Sequence, residues 1–135
     1  MQTYEKPLPL ITDEAKTFWE NAKKHQFVIQ KCKDCGHYQF YPRWVCAECW
    51  SENLEWVKSE GRGVIYSYTT VHRPPMKAFQ PDVPYTLALI DLKEGPRMLS
   101  AVIGCKPEDV KIGMPVKVTF DDITAEVSLP KFKKA

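Results

Sequence analysis

CKDCGHYQFYPRWVCAECW, residues Cys32 to Trp50, carries two Cys-x-x-Cys pairs separated by ten residues, in a chain with one further cysteine, Cys105. A Cys-x-x-Cys turn brings two thiolates within reach of one ion, and two such turns supply four soft ligands. That set suits tetrahedral Zn²⁺ at Zn–S distances of about 2.3 Å. Cys32, Cys35, Cys46 and Cys49 are therefore the candidate ligands, and Gly36 permits the positive φ that such a turn often needs. A thioredoxin-like redox pair needs only one Cys-x-x-Cys, opening a helix, and no such helical pattern is present. Iron accepts similar ligand geometry, but CAECWS lacks a glycine after Cys49, which weakens the match to rubredoxin. His37 reads as a surface neighbour of the first turn, and Cys105 as a small packed or partly exposed side chain. Four protein ligands close the coordination sphere and leave no position for water or substrate, so the metal is expected to be structural. Its binding energy would hold together a segment too short to bury its own core.

The chain has 135 residues, 44% hydrophobic and 27% charged, which is ordinary globular composition. Nineteen Lys and Arg stand against 17 Asp and Glu, a net charge of +2 that gives no general attraction for nucleic acid. The opening MQTYEKPLPL has neither the basic start nor the apolar run of a signal peptide. No apolar stretch approaches the roughly 20 residues that span a bilayer. A soluble, cytoplasmic protein is expected, and in that compartment paired cysteines hold metal more often than disulfides.

Outward from the cysteines, the chain divides into three parts. Residues 1–26 read as an extended lead, opposed to helix by Pro7 and Pro9, and then an amphipathic helix. Thr12 is its candidate cap, Asp13 and Glu14 stand in the first turn, and Lys23, Lys24 and His25 in the last, complementing the helix dipole. Ala15, Phe18, Trp19 and Ala22 form one apolar stripe. It packs on the rest of the protein or, in the sharper reading, Phe18 and Trp19 dock a partner. Residues 27–52 read as a zinc ribbon, with a short strand at Phe27–Cys32 entering the first knuckle and Tyr38–Pro42 leading toward the second. Trp44, Trp50 and Trp56 are expected to supply contact area between the ribbon and the C-terminal strands. Residues 53–135 read as strands: Leu54–Lys58, then Val64–His72, Tyr85–Leu92, Arg97–Ile103, Pro115–Phe120 and Ala125–Phe132, with KFKKA a frayed tail. In PVKVTF the alternation points Val116, Val118 and Phe120 inward. Five main strands with one short interruption at KPEDVKIG describe a small OB-type barrel, and are too few for an immunoglobulin-like sandwich. The expected fold is mainly β: an N-terminal helix, a rubredoxin-like zinc ribbon and a C-terminal five-stranded OB-fold barrel.

The ordered set of helix, CKDCG, YPR, CAEC, Trp56, GRG, VPY, KEGPR and KIGMPVKVTF resembles a family of acyl-CoA-associated zinc-ribbon/OB-fold proteins of archaea and bacteria, long carried as a domain of unknown function. The resemblance spans essentially the whole chain. It implies a non-catalytic accessory or scaffold protein that binds or passes acyl-CoA beside a thiolase or a hydroxymethylglutaryl-CoA synthase-like enzyme. Which side chains touch coenzyme A is not carried by any motif of the family.

Coenzyme A asks for cationic partners to its phosphates, a flat face for its adenine and an apolar channel for its pantetheine arm. Candidates are Arg43 and Trp44 between the knuckles, Arg62 between two glycines, and Arg73, Lys77, Phe79 and Tyr85 in the long loop HRPPMKAFQPDVPY. Loops of that length in small barrels tend to carry function, although a proline-stiffened cover over one barrel end is the plainer reading. Arg43 could equally stack on Trp44, and Arg62 could simply occupy a turn. The sequence has no paired-carboxylate motif, no nucleophile with an evident base and no glycine-rich phosphate loop, and His72 stands alone near the loop. Catalysis by this chain is not expected. The competing reading is a single-stranded nucleic-acid module using Tyr66, Tyr68, Arg62 and the lysine-rich tail, which the near-neutral charge opposes. A rubredoxin-like electron carrier is a third.

Overall fold

A computed structural model describes residues 5–135, so the expectation of an extended lead at residues 1–4 lies outside the described residues. The order of elements is one helix, α1 (Lys16–Lys23), then β1 (Val28–Cys32), β2 (Tyr38–Gln39), β3 (Leu54–Lys58), β4 (Arg62–Val71), β5 (Tyr85–Leu92), β6 (Arg97–Ile103), β7 (Pro115–Asp122) and β8 (Ser128–Lys134). A 3₁₀ turn at Asp13–Ala15 leads straight into α1. Thr12 caps that turn through its carbonyl, which accepts from the Ala15 N–H at 3.1 Å, and its hydroxyl makes no capping bond. At the other end the His25 N–H donates to Ala22 O and the Gln26 N–H to Asn21 O, both at 2.9 Å. This pairing is a Schellman motif, with His25 at φ +59° where glycine is usual.

The strands form two sheets. The small one has the order β2-β1-β3, and the second is a closed barrel, β4-β5-β6-β8-β7. The barrel is antiparallel except at β6–β8, which pair in parallel at only two positions, Val102↔Phe132 and Ile103↔Lys133. Closure comes from β7 meeting β4 at Arg62↔Lys117, Gly63↔Val116 and Val64↔Pro115. This is the five-stranded OB-type barrel that the strand pattern predicts. Period-two burial explains it: Thr86, Ala88, Ile90 and Leu92 point inward from β5, and Met98, Ser100 and Val102 from β6. Gly63 is needed where β4 crosses β5, because a Cβ there would lie 2.5 Å from the Asp91 carbonyl oxygen.

The two sheets are joined by aromatic packing. Phe18 of α1 meets Phe40 at 5.3 Å between ring centroids, and Phe27 meets both Phe40 at 6.0 Å and Phe132 of β8 at 6.3 Å. Phe132 has no exposed surface. His25 stacks on Phe120 and its Nε2 lies 2.8 Å from Asp122 Oδ1, tying the end of α1 to the barrel.

The structure corrects three expectations. Leu54–Lys58, grouped with the barrel from residue 53 onward, pairs along its whole length with β1 and belongs to the ribbon's sheet. Trp44 and Trp50 do not fill a ribbon–barrel contact: they are 65% and 79% exposed, and only Trp56 packs against the core. The closing strand runs on through Lys134, paired with Val116, and the Ala135 N–H donates to Pro115 O, so KFKKA is not a frayed tail.

Candidate functional site

The two knuckles are built alike. The Gly36 N–H donates to Cys32 O at 2.9 Å and the Trp50 N–H to Cys46 O at 3.0 Å. The Cys32 N–H donates to His37 O and the Cys46 N–H to Ser51 O, at 2.9 and 2.8 Å. The turn after each second cysteine requires a left-handed residue, supplied by Gly36 at φ +79° and by Trp50 at φ +66°. The loop between the knuckles is fixed by a buried pair of amides. Gln39 Nε2 donates to Gln30 Oε1, Gln30 Nε2 donates to Arg43 O, and the Ala47 N–H donates to Gln39 Oε1, each at 2.9 Å. With every member satisfied, such a network rigidifies the segment it holds.

The result brings the four Sγ atoms within 4.8 Å of one another. Cys32 lies 3.6 Å from Cys49, and Cys35 lies 3.6 Å from Cys46. A tetrahedron with Zn–S bonds of about 2.3 Å has edges of about 3.8 Å, so the sulfurs are gathered at close to the spacing the ion requires. The thiols also show why a cation belongs there. Cys32 is lowered to about 7, chiefly by the backbone N–H of Cys35. Cys35 receives the His37 N–H, which lowers it, yet burial and the neighbouring thiols push it up to about 12. Four converging thiols cannot all ionise alone, and a divalent cation reverses that balance. The Glu48 N–H and the Cys35 N–H point at Cys46 and Cys32 Sγ and stabilise thiolate there. These four residues are a structural zinc site of the rubredoxin-like ribbon type.

The remaining predicted site residues divide. Phe79 and Tyr85 come together, 6.1 Å between centroids, on the wall of a cleft of about 480 Å³ between the long loop and β5, β6 and β8. Lys6 reaches the same cleft, lying over the Phe79 ring at 5.5 Å and paired with Asp82. Arg43, Trp44, Arg62, Arg73 and Lys77 are exposed and lie outside this cleft. The loop itself is ordered by a 3₁₀ segment, Lys77–Asp82.

Phe18 and Trp19 line a second groove of about 480 Å³ where α1, the segment after β2 and the barrel meet. Phe18 is 3% exposed and is a core residue, whereas Trp19 is half-buried at the groove wall. Sequence reasoning did not single out the rest of this groove, above all Tyr41, Met98, Leu99 and Leu129. Tyr41 stands in the YPR motif. Its hydroxyl accepts a hydrogen bond from the Leu99 N–H at 3.0 Å, and the Ser100 hydroxyl donates to Pro130 O at 2.9 Å.

Among the described residues no helix is long and apolar enough to cross a membrane.

Comparison with known proteins agrees with this architecture. Residues 19–55 match a family described as "ChsH2, rubredoxin-like zinc ribbon domain", and residues 56–121 match "ChsH2, C-terminal OB-fold domain". A "DUF35 domain-containing scaffold protein" of Methanocaldococcus jannaschii is 39% identical over 104 residues, 76% of this chain and 73% of that protein. A "Probable enoyl-CoA hydratase alpha subunit" of Thermomonospora curvata is 35% identical over 96% of this chain, which spans 40% of that protein's length. The "Benzoylsuccinyl-CoA thiolase subunit BbsA" of Geobacter metallireducens is 30% identical over 77% of this chain and 71% of that subunit. Among solved structures, one titled "Ltp2-ChsH2(DUF35) aldolase" superposes with a TM-score of 0.84 at 35% identity, covering 94% of this chain and 98% of that one. With both halves matched in order and the tetrathiolate cluster lying within the first, the chain belongs to the DUF35 family of ChsH2-type zinc-ribbon/OB-fold proteins.

Proposed function

We propose that the chain is a non-catalytic accessory subunit that holds acyl-CoA beside a thiolase-like enzyme, with hydroxymethylglutaryl-CoA synthases, hydratases and aldolases as related partners. One observation carries the reading: the groove between helix, ribbon and barrel has walls suited to holding an acyl chain. Phe18, Trp19, Phe40, Met98 and Leu129 make it apolar. Its hydroxyls are already engaged with backbone partners, Tyr41 with Leu99 and Ser100 with Pro130. Such a surface binds cargo or a partner more readily than it reacts with either. The names of the relatives support the same direction, since they include a scaffold protein, a thiolase subunit and an aldolase complex.

The competing nucleic-acid reading loses support from the barrel face. Arg97, ion-paired with Asp91, lies over the Tyr66 ring at 3.4 Å, so one of the two candidate stacking faces is already covered. The test is purification of the tagged, zinc-loaded chain from its own cells, with the co-eluting protein identified by mass spectrometry. A thiolase, synthase, hydratase or aldolase in fixed stoichiometry is expected; elution alone or with nucleic acid overturns the reading.

A further inference from the structure

We propose that the open seam between β6 and β8 is a binding track for a coenzyme A thioester, with the acyl group at the aromatic end and the phosphates at a lysine end. This rests on the acyl-CoA reading above and places it in the molecule. The apolar groove and the loop cleft share Ala101, Leu129 and Lys131 as walls, so the two adjoin along β6 and β8. The loop cleft in turn shares Gly104 and Cys105 with a third cleft of about 830 Å³, where Lys106, Lys111 and Lys134 stand against one carboxylate, Asp109. The order of these clefts runs with the chain. From Met98 to Lys106, β6 and the turn at Gly104 pass from apolar surroundings through mixed ones to cationic ones.

The seam is open for a definable reason. β6 and β8 pair only at Val102 and Ile103. Upstream, β8 offers Pro130, which has no N–H to give. Its carbonyl is taken by the Ser100 hydroxyl, and the Leu99 N–H turns to the Tyr41 hydroxyl. At about 3.3 Å per residue, Leu99 to Ile103 gives roughly 13 Å of strand along this edge.

A pantetheine arm is an extended chain with two amides in series, and it can meet a strand edge as an added strand does. The acyl chain then enters the groove of Trp19, Met98 and Leu99. The phosphates meet lysines that have no ion pair among the described residues, unlike Lys93 and Lys131, which are paired with Glu60 and Asp121. A partner's peptide would also satisfy the strand edge. The cationic end favours the phosphorylated arm instead, because charge-assisted hydrogen bonds to phosphate are what such lysines supply.

The test measures binding of octanoyl-CoA and of S-octanoyl-pantetheine, which lacks the phosphates, to the full zinc-loaded chain by calorimetry. Two variants change exposed side chains at opposite ends, Leu99→Asp and the double variant Lys111→Glu/Lys134→Glu. Leu99→Asp is expected to weaken both probes by about tenfold or more, and the lysine variant to weaken octanoyl-CoA by a similar factor while leaving the pantetheine thioester unchanged. Wild-type affinity for octanoyl-CoA in either variant overturns the track and leaves the acyl-CoA reading standing. A wild-type chain that binds neither probe overturns both.

Discussion

Gly36 and Trp50 occupy the same place in the two cysteine knuckles, each in left-handed backbone and each donating its N–H to the carbonyl of the first cysteine four residues back. For an L-residue that conformation costs roughly 1–2 kcal/mol. The chain bears the cost at Trp50, where the ring is 79% exposed and returns little packing. At Gly36 an added Cβ would meet nothing within 4 Å, so the loss there is conformational alone. Gly36→Ala is expected to lower stability by about 1 kcal/mol, while Trp50→Gly changes it by less than that, strain relief offsetting the looser unfolded chain. Urea unfolding of the zinc-loaded variants measures both.

The zinc site supplies a second prediction. Metal removal by a strong chelator is expected to melt β1, β2 and β3 while much of the barrel's own pairing survives. The reason is that the ribbon's sheet has only three short strands, whereas the barrel closes on itself. Binding in such sites is worth on the order of 10 kcal/mol and is folding energy for the segment it holds. Cys46→Ser should reproduce the effect. Fluorescence of Trp56, which lies on β3, reports the ribbon, and amide exchange in β5 reports the barrel. Metal retention should weaken as pH falls, because each thiol must lose its proton to bind.

Asp122 predicts a shape for the acid limb. Its carboxyl is held below the ordinary range, first by the Ser128 hydroxyl and then by His25. A group with a depressed folded-state pKa stabilises the fold above its unfolded value, near 3.9. That contribution is lost as pH falls through the folded-state value. Asp34, lowered by Ser51 and then Asn53, acts in the same direction. Ser128→Ala should therefore flatten the loss of stability as pH falls below about 4, as read from urea midpoints at stepped pH. An unchanged slope would show that Asp122 contributes nothing to acid unfolding.

Phe132 predicts the largest single loss. It is fully buried, lies on the strand that closes the barrel and meets Phe27 from the ribbon side. Phe132→Ala should cost about 3–5 kcal/mol, the range for removing a buried aromatic ring. Thermal unfolding followed at the ribbon and at the barrel should show both units weakened together.

The metal centre and the barrel are legible in the sequence because their signals are local. Cys32, Cys35, Cys46 and Cys49 announce a tetrathiolate by spacing, and Val116 announces its inward face by alternation with Lys117. β3 is easily misplaced because Leu54–Lys58 looks like any barrel strand, and only its pairing with β1 assigns it to the ribbon. The exposure of Trp44 and Trp50 runs against the rule that large aromatics fill contacts. Trp50 in particular takes the backbone role usually left to glycine. Of the candidate ligand residues, Phe79 and Tyr85 share a cleft, whereas Arg43, Arg62, Arg73 and Lys77 stand exposed outside it, because position in the chain does not show which way a cation faces. The groove is not legible because its walls come from four separate stretches: α1, Tyr41, β6 and Leu129. Its opening depends on how Pro130 interrupts pairing with a strand some thirty residues away.

The Tyr41 hydroxyl that caps the Leu99 N–H has one further consequence. Tyr41 belongs to the segment strung between the two knuckles, and Leu99 belongs to the wall where cargo is proposed to lie. Whatever fixes the first therefore steadies the second. By thermodynamic reciprocity, if ion occupancy raises the affinity for cargo by some factor, cargo must raise the affinity for the ion by the same factor. A staple of this kind would then also sense the load it helps to carry.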